Sequence, residues 1–154
     1  MSSDLWSFSL GTYARPGVEA ACLTLQSAGV NVCLLLCGLW LGQRGVACNG
    51  QRLQQLRNVA EPWDTEVVRP LRALRLQWKA IATEDAELDA LREQVKVLEL
   101  EAERHLLQQL ERSAQNWPQE ETTDLSAWLE GVAADAADLD RDALHQLRVA
   151  VTGT

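Results

Sequence analysis

Four cations recur along one stretch of this chain: Arg69, Arg72, Arg75 and Lys79. On a helix their spacing makes a ridge beside Trp63 and Trp78, provided that Pro70 does not turn Arg69 out of line. Guanidinium forks match the paired oxygens of phosphates and carboxylates. The ridge could therefore grip an anionic ligand or the acidic helix of a protein partner. It could equally meet the chain's own acids, which begin just downstream at Glu84. A second candidate is aromatic. Trp6 and Tyr13 share a helical face, and with Phe8 and Trp63 they could line a groove for a peptide or small ligand, with Arg15 at its rim. Core packing would use the same rings.

Other chemistry finds little support. There are only two histidines, His105 and His145. Cys33 and Cys37 stand one helical turn apart and could hold a soft metal or form a redox pair. Their apolar surroundings instead favour protonated, inert thiols. Glu99, Glu101 and Glu103 precede His105 without the Glu-x-x-His spacing of a di-iron bundle, and no second such helix exists. These acids read as a solvated face, with Lys96 and Arg104 as counter-charges at helical spacing. Neither a Gly-x-Gly-x-x-Gly nor a Gly-x-x-x-x-Gly-Lys phosphate loop occurs, and no nucleophile elbow is present. The sequence assigns no catalytic residue, cofactor or metal.

The elements that must position these residues are helical. The chain has 154 residues, 47% hydrophobic and 23% charged, a globular composition long enough for a core without disulfides or metals. Its net charge of −8 is segregated, the first 80 residues being basic overall and the remainder strongly acidic. An acidic half repels a phosphate backbone, which argues against broad nucleic-acid binding. The most apolar run, Val30 to Leu41, is too short for a membrane span and suits a buried helix. Met-Ser-Ser-Asp offers no basic region ahead of an apolar stretch, so a secretory signal is not expected. The four cysteines then read as reduced side chains of a cytoplasmic protein.

Strand alternation is nearly absent, whereas helix punctuation is frequent. Asp4 starts a first helix, Pro16 a second, Asn31 an apolar third and Gln51 a fourth, which ends near Ala60. Pro62 opens a fifth, carrying Val67, Leu71, Leu74 and Trp78, which Pro70 should kink or divide in two. The sixth, Glu84 to Ala114, is the longest, with Leu88, Leu91, Val95, Leu98, Ala102, Leu106 and Leu110 on one stripe. The expected fold is an all-α, compact multi-helix bundle, domain 1–115, centred on the third helix. Residues 116–123 read as a polar linker, and 124–154 as a loosely docked helical appendage, because Gly131 to Asp138 offers little apolar bulk.

Several stretches also resemble a bacterial family of small proteins with no assigned function. They are Leu5-Trp6-Ser7-Phe8-Ser9-Leu10 with Tyr13, Pro16-Gly17-Val18, Ala21-Cys22-Leu23, Val32 through Trp40, and Trp63 to Arg72. The resemblance spans roughly residues 4–110 and implies no catalytic residues. With chemistry missing, charge segregated and tryptophan in surplus, the sequence points to a non-catalytic protein-interaction module with an unidentified protein partner. Self-association is also compatible with it. The alternative is a bundle, possibly an enzyme, that binds a small anionic ligand.

Overall fold

Some helix-start signals act where they stand, whereas Pro16, expected in the first turn of the second helix, lies in the turn just ahead of it. In the computed structural model, which describes residues 4–121, 124–134 and 140–152, the chain is all-α with no strand among the described residues. The first helices are α1 (Asp4–Tyr13), α2 (Val18–Ser27) and α3 (Val32–Gln43). Asn31 caps α3 by accepting a 3.2 Å hydrogen bond from the Leu34 amide. Asn49 does the same for α4 (Gly50–Trp63), accepting from Arg52 N–H at 2.8 Å. Asp85 caps the long α7 (Ala86–Ser113), taking the amides of Glu87 and Leu88, each at 3.1 Å.

Pro62, expected to open a helix, and Pro70, expected to kink or divide it, are absorbed differently. The α4 helix runs through Pro62 to Trp63, and Asp64–Val68 follows as a π-helical turn before α5 (Arg69–Gln77) and the short α6 (Lys79–Ala82). Proline cannot donate to the carbonyl four residues back, and its ring crowds that carbonyl. Widening the backbone over Asp64–Val68 makes room for Pro70 at the start of α5. The expected kink is thus a local wide turn, and Arg69 stays in line with Arg72 and Arg75.

The centre is α3, in which every residue from Cys33 to Gly42 is buried. A helix apolar all round must be enclosed on all sides, and α1, α2, α4, α7, α8 (Leu125–Val132) and α9 (Arg141–Thr152) each pack on it. One of its glycines serves this packing. A Cβ at Gly42 would lie 2.6 Å from the Leu125 Cα, so only glycine lets α8 approach so closely.

The C-terminal helices are docked more firmly than their composition suggested. Trp128 of α8 is fully buried, and its indole N–H donates to the Val46 carbonyl at 2.8 Å. Leu125, Leu129 and Val132 from α8, and Ala143, Leu144, Leu147 and Val151 from α9, join the same core as Leu5 and Leu106. Arg15, expected at a groove rim, donates instead to the Ala150 carbonyl of α9. The stretch read as a polar linker is pinned in part, because the Glu120 amide donates to the Gly45 carbonyl at 2.7 Å. Much of the alanine- and aspartate-rich stretch, residues 135–138, lies outside the described residues, as do Thr122 and Thr123 of the linker. The low bulk that suggested weak docking is offset by one large ring seated against α3.

Candidate functional site

The arginine ridge forms, but it turns inward. Arg75 Nε donates to Glu99 Oε1 at 2.5 Å, and a second guanidinium nitrogen donates to Oε2 at 3.2 Å. This two-point grip on a buried carboxylate raises Arg75 above its ordinary pKa, the hydrogen bond to Glu99 being the largest cause. Arg72 Nε lies 3.4 Å from Glu99 Oε2. It is close enough for attraction, yet buried and not aligned as a hydrogen bond. Arg69 turns back to the buried Asp64 at 2.7 Å. Lys79 is exposed and has no ion-pair partner among the described residues. The ridge is therefore mostly occupied by the chain's own acids, one of the two outcomes its position allowed.

That pairing also corrects the reading of the acids. Glu101 is solvated, but Glu99 is buried and Glu103 partly so. Lys96 pairs with Glu93 at 2.9 Å instead of with Glu99, and Arg104 lies over the Trp6 ring, 5.4 Å from its centroid. Helical spacing gave Lys96 either neighbour, and α5 claimed Glu99 first because Arg75 approaches from the buried side.

Beside this network lies a cavity of about 260 Å³ between α1, α2, α3 and α7, with Arg75 and Glu99 at one edge. Trp6, Val32, Leu36 and Leu107 form apolar walls, and Tyr13, Ser9, Gln26 and Glu103 are polar residues lining it. Leu10, Leu23 and Leu100 line its edge and are each at least half exposed. Glu103 is pushed up to about 7, first by burial and next by the charge of Glu99, with Arg72 and Arg75 pulling the other way. Burial likewise raises Tyr13 to about 12 and moves the Cys33 thiol well upward. Cys33 is thus a neutral wall residue whose Sγ points to the Glu103 carbonyl at 3.9 Å. Cys37, its neighbour one turn on, is also raised by burial, which fits inert thiols better than a redox pair.

The aromatic candidates divide. Trp6 and Tyr13 meet at this cavity, as their shared face required. Phe8 packs against the core elsewhere. Trp63 donates its indole N–H to the Ala102 carbonyl at 2.9 Å and rests on His105, with ring centroids 4.6 Å apart. Among the polar cavity residues, Ser9 and Gln26 carry no signal in the sequence, and Glu99 and Glu103 are the two that spacing reads as a solvated face. The only signal of the two glutamates was position, since Glu99 and Glu103 are one turn apart on the side of α7 opposite Glu101.

Residues 4–110 match the family described as Protein of unknown function (DUF2390). The chain belongs to that family. The match takes in α1 to α6 and most of α7, including every residue of the cavity and of the arginine network. No curated protein and no solved structure matches the chain. Among the described residues no three metal-ligating side chains cluster, and no helix is long and apolar enough to cross a membrane.

Proposed function

We propose that the chain is a non-catalytic protein-interaction module whose docking element is the arm built from α5, α6 and the N-terminal half of α7. The observation that carries this reading is an exposed stripe where the sequence calls for a core. Leu91 and Leu98 belong to the core-type stripe of α7, yet they are 51% and 55% exposed, while Val95 and Ala102 beside them are buried. No residue of α5 is buried, and Leu74, Leu76 and Ile81 join the exposed set.

Helix geometry puts Leu74, Leu91 and Leu98 of this set on a common surface, with Leu76 on the other flank of α5. Taking about 100° per residue from the Arg75–Glu99 contact, Leu71, Leu74 and Trp78 fall on one flank of α5. Leu91 and Leu98 fall on the corresponding flank of α7. Because α5 and α7 run antiparallel, with Trp63 opposite Ala102 and Arg75 opposite Arg92 and Glu99, the two flanks lie on the same side. A groove between two antiparallel helices suits the apolar face of a third. Glu87, one turn before Leu91, and Glu101, one turn after Leu98, are exposed beside this flank, so the partner fitted to it is an amphipathic helix with basic residues bordering its apolar face. The anionic-ligand reading is less favoured, because Glu99 already occupies the two guanidinium groups that it needs. The cysteines carry no disulfide, which fits work in a reducing cytoplasm.

The test compares tagged wild-type protein with a Leu91→Asp/Leu98→Asp variant, both in quantitative pull-downs from the native cell and in analytical sedimentation. The expected result is a partner held by wild type in near-equal amount, weakened by salt, and lost with the variant while helical content is unchanged. Retention of that partner by the variant refutes the arm. A wild-type dimer that the variant abolishes replaces the foreign helix by a second copy of the chain.

A further inference from the structure

We infer that the cavity walled by Trp6, Val32, Leu36 and Leu107 is a binding site for a small amphiphile with an apolar body and a protonated amine head, the amine directed to Glu103. Three observations converge on it. The space is large enough for a short alkyl or aryl chain, at about 260 Å³, and its edge is made of the exposed side chains Leu10, Leu23 and Leu100. Isolated exposed leucines are ordinary, but three around one apolar hollow form an entrance. Second, the Ser9 hydroxyl is buried in this wall, at 4% exposure, with no hydrogen-bond partner. An orphaned buried hydroxyl costs stability unless something supplies a partner. Third, the Glu103 carboxylate also lines the cavity and accepts no hydrogen bond from any described residue.

The head group follows from the charges. Glu103 faces Glu99 on its own helix, Arg72 and Arg75 from α5, Asp64 from the π-helical turn, and Tyr13 and Cys33 from α1 and α3. Both arginines are engaged with Glu99, so Glu103 is the charge left without a direct partner. A carboxylate or phosphate ligand would add a further anion beside two glutamates. An ammonium group brings three donors and one positive charge, which a carboxylate and a hydroxyl oxygen can receive together. The Tyr13 ring also tolerates a cation at its face, as Trp6 already does with Arg104. This site shares Arg75 and Glu99 at its edge with the arm proposed for protein docking, but neither Leu91 nor Leu98 lines it, so the two tests read different residues and either inference can fail without the other.

The experiment is calorimetric titration of the intact protein with n-hexylamine, 1-hexanol and n-hexanoate, for wild type, Glu103→Gln and Ser9→Ala. Hexylamine is expected to bind once per chain with Kd below about 1 mM, at least about tenfold tighter than hexanoate. Its affinity should rise between about pH 6 and pH 8, as the Glu103 carboxyl ionises while the amine stays charged. Glu103→Gln should reduce hexylamine to the level of hexanol and remove the pH dependence, with Ser9→Ala weakening it about threefold. Equal binding of amine and hexanoate, an amine preference that survives Glu103→Gln, or no saturable binding of hexylamine by wild type would each overturn the inference.

Discussion

A half-buried carboxylate without a direct partner should cost stability, and Glu103 allows the cost to be measured. Its carboxyl moves from an ordinary 4.5 to about 7 in the folded chain, chiefly through burial. A tenfold change in an ionisation constant is worth about 1.4 kcal/mol, so the rise amounts to roughly 3 kcal/mol, or nearer 2 once residual solvent contact is allowed for. The sign follows from proton linkage. Between those two values the folded chain holds a proton that the unfolded chain has released, so stability falls as pH rises. The penalty is absent below the unfolded value and complete above about 7. Glutamine keeps the shape and never ionises. Urea unfolding of wild type and Glu103→Gln near pH 5 should therefore give stabilities within about 0.5 kcal/mol of each other. Near pH 8 the variant should be more stable by about 2 kcal/mol. The thiols and Tyr13, whose values lie well above that range, do not contribute there. A variant that is destabilised equally at both pH values would refute the reasoning, because Glu103 would then be held by hydrogen bonds that favour its charged form. A confirmed penalty would mean that the chain retains a group which its folding alone would discard.

Two further outcomes follow from the packing. Arg75→Met leaves the buried Glu99 with only the misaligned Arg72, and should cost about 2–3 kcal/mol, lowering Tm by about 5–10 °C. Adding Glu99→Leu should restore most of that loss in a thermal melt, since an apolar pair replaces an uncompensated charge; no recovery would show that Glu99 has other stabilising partners. Trp128→Ala empties a fully buried site and breaks the bond to Val46, so urea unfolding should show a loss of about 3–5 kcal/mol in one cooperative transition. A loss below about 1 kcal/mol, or a separate early transition, would make the C-terminal helices an independent appendage.

The sequence by itself determined the helices, because caps and periodicity are local. Asn31, Asn49 and Asp85 each hold the amides just ahead of them, and Val32–Gln43 is apolar all round and therefore buried. It also put Arg72 and Arg75 on one face and Trp6 with Tyr13 on another, since those spacings are fixed by the turn of a helix. What each face meets was decided only by tertiary structure. The stripe Leu88 to Leu110 reads as uniformly apolar, but its C-terminal half lies in the bundle and its N-terminal half lies in an arm where Leu91 and Leu98 reach solvent. Glu99 and Glu101 look alike along the chain, yet one is enclosed by arginines of α5 and the other is solvated. Trp128 docks the tail because Gly42, far upstream of it in the chain, leaves room for α8 on α3. Periodicity names the face of a helix; only the fold supplies the neighbour, and the neighbour fixes the burial, the charge state and the chemistry open to each residue.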